Sequence, residues 1–205
     1  MKHLFLTAAV AVFSLIQVNA QTEKGNFTFS GSSTISFSSS KLQGEFEGEE
    51  VGDETTVNLF TLTPSVGYFV IDNLSLNVEV GYSSQKQEND ISEFKTNTLG
   101  LFLGGNYFFE TGSEKFKPFV GLSGGLSSAK TTINFDNGFD PQESTDESSG
   151  FTYVVRGGLS YFINQNVSVD FLLRYLSANL EDGDDSDFVV KDRSFGVGLG
   201  FSIFL

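Results

Sequence analysis

The sequence predicts an all-β fold: an eight-stranded antiparallel up-and-down transmembrane β-barrel. Apolar and polar residues alternate with a period of two in eight separate segments of the 205-residue chain, which is the pattern of half-buried strands. The face opposite the bulky apolar side chains carries mainly Gly, Ser, Thr and Asn rather than charged residues. The connections between the segments alternate between short and long, which is typical of barrels that cross an outer membrane.

The N-terminal residues 1–20 have the composition of a secretory signal peptide. Lys2 gives a basic start, 4–18 is an apolar run, and small residues end at Ala20. The run is shorter than the roughly 20 apolar residues that a transmembrane anchor requires. We therefore expect residues 21–205 to form one outer-membrane β-barrel domain after the signal peptide is removed.

The first four predicted strands are 27–37, 60–70, 74–83 and 98–109, and each has large apolar residues at alternate positions. These residues are Phe27, Phe29, Ile35 and Phe37; then Phe60, Leu62, Val66 and Tyr68; then Leu74, Leu76, Val78 and Val80; and then Leu99, Leu101, Leu103 and Tyr107. We expect this bulky face to contact lipid and the small face to fill the lumen. Eight strands leave a lumen just wide enough for its own side chains.

The last four predicted strands are 119–128, 151–162, 167–177 and 195–205, and they follow the same rule. Their apolar positions are Val120, Leu122 and Leu126; then Phe151, Tyr153, Val155 and Leu159; then Val167, Val169, Phe171 and Leu173; and then Phe195, Val197, Leu199 and Phe201. Aromatic residues near strand ends are expected to form a girdle on the lipid face: Tyr68, Phe69, Tyr107, Phe108, Phe109, Tyr161 and Phe162. A water-soluble β-sandwich is the alternative, although its wet face would carry more charge.

The connections orient the predicted barrel. Residues 71–73 and 164–166 are tight turns and 110–117 is a modest one, whereas 40–54, 87–94, 133–150 and 180–189 are long and polar. Outer-membrane barrels have short periplasmic turns and longer extracellular loops. We therefore expect both chain ends on the periplasmic side, because an even number of strands returns the chain to the side where it started.

Composition excludes several classes of function. A formal net charge of -14, from 12 Lys and Arg against 26 Asp and Glu, argues against nucleic acid as a partner, since a phosphate backbone requires a basic surface. The chain has no Cys, and its single His is His3, in the predicted signal peptide. A serine without a base is a weak nucleophile. We therefore expect no enzymatic activity, no cofactor and no catalytic metal.

The chain resembles the small outer-membrane β-barrel family of the OmpA/OmpX type, single-domain porin-family barrels. The resemblance rests on the hairpin 60–69 with Asp72-Asn73-Leu74, on the apolar C-terminal segment 200–205, and on the strand and loop pattern of 21–205. It implies a monomer in the cell outer membrane, surrounded by lipid and lipopolysaccharide. It also implies that the assembly machinery recognises the C-terminal strand, although the family usually ends in an aromatic residue and this chain ends in Leu205. Enzymes among outer-membrane barrels are similar in using a histidine, which 21–205 lacks.

The acidic residues are concentrated in the long connections. Most of them lie in 45–54, 88–93, 136–147 and 181–187. One interpretation is a solvated surface that repels itself and stays soluble. The other is binding of divalent cations, which favour clustered carboxylates; however, 181–187 lacks the distant bidentate Glu of an EF-hand.

Alternation directs four charged side chains into the lumen: Glu79, Arg156, Asp170 and Arg174. A hairpin centred on Gln165 places Arg156 directly opposite Arg174, and like charges so placed destabilise a sheet. A carboxylate should therefore lie between them. We expect Glu79 to bridge the two arginines in a structural charge cluster that closes the lumen, with Asp170 at its edge. Relatives of the OmpA type are similar in carrying lumenal Arg–carboxylate pairs.

The sequence thus favours a structural or surface-interacting outer-membrane barrel with acidic extracellular loops and a lumen filled by side chains. Its expected partners are lipid, lipopolysaccharide, the assembly machinery, and divalent cations or surface ligands at the loops. A narrow porin or a conduit for hydrophobic ligands is the alternative, and a soluble ligand-binding barrel is a third hypothesis.

Overall fold

The computed structural model describes residues 22–41, 44–46, 49–51, 54–89, 92–135, 142–182 and 189–205. The predicted signal peptide lies outside these ranges. The strands are β1 (Phe27–Lys41), β2 (Gly44–Phe46), β3 (Glu49–Val51), β4 (Glu54–Ile71), β5 (Leu74–Asn89), β6 (Ser92–Phe108), β7 (Phe116–Phe135), β8 (Gln142–Asn164), β9 (Val167–Asp182) and β10 (Val189–Phe204).

Eight of these strands form one closed barrel. Each pairs antiparallel with its neighbours in the chain, and β1 pairs with β10 to close the ring, while β2 and β3 form a separate small hairpin between β1 and β4. The predicted eight-stranded up-and-down barrel is therefore confirmed. In the part of the chain that the structure describes, no helix has the length and apolar character needed to cross a membrane.

Most strands are longer than alternation predicts, and the largest extensions lie at the end with the long connections. The connection predicted at 133–150 is mostly strand, since β7 and β8 pair as far as Phe135 and Gln142. Likewise β5 and β6 pair as far as Asn89 and Ser92. The residues 142–149 are polar on both faces. Hydrogen bonding between strands continues into this polar part, where alternation no longer marks a strand because neither face is apolar.

The two faces of the barrel are assigned correctly by alternation. Val78, Leu101 and Leu173 are exposed on the outside, as are most of the predicted lipid-face residues whose side chains the structure describes. Ser75 and Asn77, on the alternate face of β5, are buried in the lumen. A barrel whose outside is apolar and whose inside is polar suits a lipid environment.

The predicted aromatic girdle is wrong for three residues. Phe69, Phe108 and Phe162 are buried in the lumen rather than exposed to lipid. Their positions in the strands have inward parity, and parity determines the direction of a side chain more strongly than closeness to a strand end. The remaining four aromatic residues, Tyr68, Tyr107, Phe109 and Tyr161, are exposed on the outside.

The β4–β5 turn depends on a left-handed residue. Asn73 has φ 66°, a conformation that Asn adopts more readily than most residues. Its backbone N–H donates to the Thr22 carbonyl at 2.7 Å, and Thr22 Oγ1 donates to Asn73 Oδ1 at 2.5 Å. These two hydrogen bonds connect the turn to the segment that precedes β1.

Candidate functional site

The lumen contains a charge pair between β5 and β8. The Arg156 guanidinium donates to both carboxylate oxygens of Glu79, from Nη1 to Oε2 at 2.9 Å and from Nη2 to Oε1. The Glu79 side chain is only 2% exposed. A bidentate, charge-assisted contact of this kind is among the strongest hydrogen-bonding arrangements in proteins.

Two neighbouring polar side chains complete this pair. Arg156 Nε donates to Asn106 Oδ1 at 3.0 Å, and Ser123 Oγ donates to Glu79 Oε2 at 3.4 Å. Gly121 makes room for the arginine, because a Cβ there would lie 2.7 Å from Arg156 Nε and would collide with Asn106. Sequence reasoning missed Asn106 and Ser123, because their inward parity places them in the lumen but does not show that they contact Arg156 and Glu79.

Arg174 lies opposite Arg156 in the β8–β9 register, as the hairpin centre predicts. It lines a cavity of about 20 Å³ together with Glu79 and Arg156. The structure therefore brings the three predicted residues together. However, both oxygens of the Glu79 carboxylate contact Arg156, so the bridge runs to one arginine rather than to both.

Asp170 occupies a separate position, four residues from Arg174 along β9. Ser168 Oγ and Ser202 Oγ donate to its two oxygens, at 2.8 and 2.5 Å. Asp170 and Arg156 both line a further cavity of about 50 Å³. Asp170 was expected at the edge of the charge cluster. Its carboxylate instead bonds to two serines, although it shares a cavity with Arg156. Ser168 shares the inward parity of Asp170 on β9, and Ser202 faces Ser168 in the β9–β10 register. This shared parity is the sequence signal that could have identified the two serines as partners of Asp170.

An aromatic layer closes the lumen at the end with the short turns. It consists of five phenylalanines and one leucine, all buried: Phe69, Phe108, Phe119, Phe162, Phe204 and Leu172. The Phe162 and Phe204 ring centroids are 5.1 Å apart, and Phe108 lies 5.7 Å from Phe119 and 6.1 Å from Phe204. The Phe108–Phe204 contact is edge-to-face and the other two are tilted, and aromatic contacts at these distances are favourable beyond the area that they bury.

The segment before β1 also contributes to this end of the barrel. Gly25 N–H donates to the Phe69 carbonyl at 2.9 Å, and Lys117 Nζ donates to Thr22 Oγ1 at 2.7 Å. The segment thereby contacts both β4 and β7. Contacts to two separate strands hold it at the mouth of the barrel.

The opposite half of the lumen is open space. A cavity of about 480 Å³ extends from Phe102 and Arg174 to the upper parts of β7, β8 and β9. Within the described ranges, no group of three or more His, Asp or Glu side chains is arranged to hold a metal ion. Many residues of the predicted acidic connections lie outside those ranges.

The comparisons with known proteins agree with this architecture. A family model described as "Outer membrane protein beta-barrel domain" matches residues 5–202. No curated protein sequence matches the chain significantly.

Solved structures of other outer-membrane proteins are similar in fold. Neisserial surface protein A has a TM-score of 0.59 at 22% identity, with 88% of this chain and 99% of that chain covered. The outer membrane protease OmpT from Escherichia coli gives 0.52 at 9%, covering 92% and 99%. The attachment invasion locus protein Ail of Yersinia pestis, in complex with the heparin analogue sucrose octasulfate, gives 0.51 at 14%, covering 87% and 99%.

At such identities the solved structures support the fold alone, whereas the family model spans nearly the whole chain. The closed eight-stranded barrel with an apolar exterior that the structure shows agrees with a domain of this kind. The chain therefore belongs to the outer membrane protein β-barrel domain family and is a protein of the cell outer membrane.

Proposed function

We propose that this protein is a non-conducting outer-membrane barrel with a structural and surface-interacting role. The observation that carries the proposal is the closed lumen. The Glu79–Arg156 contact blocks the middle of the barrel, and the aromatic layer that contains Phe108 and Phe204 blocks the end with the short turns. Ions could cross the barrel only if both the charge pair and the aromatic layer moved aside.

The acidic outer end supports a role at the cell surface. The formal net charge of -14 is concentrated in the long connections, which extend away from the membrane in barrels of this kind. Lipopolysaccharide is itself rich in anionic groups, so contact with these connections requires divalent cations between the two. A sulfated ligand such as the one bound to Ail would be repelled in the same way.

The remaining partners follow from the exterior of the barrel. The apolar outer face suits membrane lipid, and the C-terminal strand β10 is the element that the assembly machinery would recognise. We also propose that the protein is not an enzyme, since 21–205 contains neither His nor Cys to act as a base or nucleophile.

A conduit for hydrophobic ligands is the second candidate. The cavity of about 480 Å³ and the two smaller ones follow one another along the lumen, which favours this alternative. The small size of the inner cavities, about 20 and 50 Å³, weighs against it, because each holds only a few waters.

Conductance in planar bilayers tests the proposal. The refolded protein should give no stable channels, whereas a variant with Glu79→Ala, Phe108→Ala and Phe204→Ala, which opens both layers, should conduct. A matched control with Phe27→Ala, Phe29→Ala and Phe60→Ala changes only exposed residues of the lipid face and should stay silent. Stable channels from the unmodified protein would reject the structural role in favour of transport.

A further inference from the structure

The outer half of the lumen has the size of a binding pocket for a small molecule. Its cavity of about 480 Å³ lies within the usual range of roughly 300–1,000 Å³ for such sites. Phe102 and Arg174 form its inner end, and the Glu79–Arg156 pair lies beyond them around the cavity of about 20 Å³, so it is a blind pocket rather than part of an open channel.

One wall of this pocket is apolar. Ala129 on β7 packs with Ala178 and Leu180 on β9, and Leu176 packs against these three residues. All four line the cavity. Below this wall the lumen carries buried Ser, Thr and Asn side chains, and a second apolar cluster is the aromatic layer at the end with the short turns. The apolar wall favours a ligand with an apolar body.

A cation lies at the inner end of the same wall. Arg174 occupies the same face of β9 as Leu176 and Ala178, and its side chain lines the cavity. The facing Arg156 already holds the Glu79 carboxylate. From Arg174 to Leu180 the strand rises about 20 Å, so a linear ligand could place its polar end on the guanidinium and its chain along the leucines.

The mouth of the pocket is acidic. Asp146 and Glu147 line its outer part, where Glu147 accepts from the exposed Lys130, and Asp192 lies further in, level with Ala178. These carboxylates disfavour a second negative charge on the ligand, because like charges act against the wrong partner. The charge pattern therefore selects a single anionic group that reaches the inner end.

We propose that this pocket binds a monocarboxylate amphiphile. The carboxylate accepts hydrogen bonds from the Arg174 guanidinium, and the aliphatic chain lies against Leu176, Ala178 and Leu180. This binding activity goes beyond a structural or surface-interacting role, and it does not require the lumen to conduct.

The test uses the full-length barrel in phospholipid nanodiscs, with radiolabelled dodecanoate in equilibrium dialysis against empty nanodiscs. We expect saturable binding of one dodecanoate per barrel. Dodecanol, which lacks the charge, and dodecanedioate, which carries a second one, should each bind about ten-fold more weakly, the effect of one charge-assisted contact. Binding in proportion to lipid alone, or equal binding of dodecanol, would overturn the proposal.

Three variants locate the site. Arg174→Gln should weaken dodecanoate binding about ten-fold and abolish the preference over dodecanol. Arg193→Gln removes the same charge from an exposed position of β10 outside the pocket and should leave binding within about two-fold. Ala178→Phe fills the space beside the apolar wall and should abolish binding of both dodecanoate and dodecanol. This variant tests whether the pocket is the binding site even where Arg174→Gln fails to fold. Unchanged binding in Ala178→Phe would place the ligand elsewhere and end the proposal.

Discussion

Glu79 is a carboxylate that the barrel removes almost completely from water. Burial of an ionised group costs several kcal/mol unless a partner offsets the lost hydration. Arg156 supplies that partner through two hydrogen bonds, and Ser123 adds a third. Loss of either residue therefore leaves the other charged in the lumen without its ionic partner.

We expect Glu79→Ala to destabilise the barrel by about 3–5 kcal/mol, since it leaves the Arg156 charge in the lumen. Equilibrium unfolding in urea, followed by the loss of β-structure in lipid vesicles, measures this change.

The matched control is Glu147→Ala. Glu147 accepts from Lys130 Nζ at 3.2 Å, but both side chains are largely exposed, and an exposed pair contributes below about 1 kcal/mol. If the two variants unfold at the same urea concentration, the lumenal pair has no special structural role.

At the scale of the strands, alternation predicts the segments whose outer face must be apolar because it contacts lipid, and it predicts little beyond them. Leu101 and Leu103 point outward because lipid requires apolar contacts on that face, and the sequence shows this. The upper ends of β7 and β8 have no such signal, since water covers both faces. The bond between Arg156 and Asn106 is equally hidden, because it joins β8 to β6 over Gly121 of the intervening strand β7. Strand parity gives the direction of each side chain, but it does not say which side chains meet.

The outward face gives a direct prediction. Leu101 is 58% exposed and lies in the middle of its strand, so Leu101→Arg should lower the stability of the inserted barrel by about 2–4 kcal/mol. Folding titrations in lipid vesicles measure the effect. Thr145→Arg, at an exposed position of the upper β8 extension, should be nearly neutral. Equal insertion of Leu101→Arg and the parent would show that this face does not contact lipid.

The upper hairpin of β7 and β8 should be dispensable for folding. Lys130 pairs with Glu147, so replacing 131–146 by Asn-Gly shortens both strands evenly and supplies the residues of a tight turn. Because the barrel below keeps its whole ladder, the shortened protein should still change mobility on gels after boiling. Loss of that heat-modifiability would mean that the hairpin is part of the folding core.

For the molecule as a whole, charge and architecture separate two environments. The barrel wall is apolar outside and closed inside, while a net charge of -14 is concentrated in connections at one end. Such a surface repels anionic neighbours at low ionic strength, and the repulsion weakens as salt screens it. Any contact with lipopolysaccharide must therefore depend on the cations present.

This dependence provides the last prediction. The barrel in nanodiscs should capture lipopolysaccharide in the presence of Mg²⁺ and release it in EDTA, because carboxylates and phosphates can share a hard divalent cation through their oxygens. Replacing the five acidic residues of 181–187 with Asn and Gln should remove much of the Mg²⁺ dependence, whereas Ser186→Ala within the same segment should not. Capture that persists in EDTA, or that ignores the acidic replacements, would show that another surface mediates the contact. Capture that is absent even with Mg²⁺ would restrict the acidic connections to a solvating role.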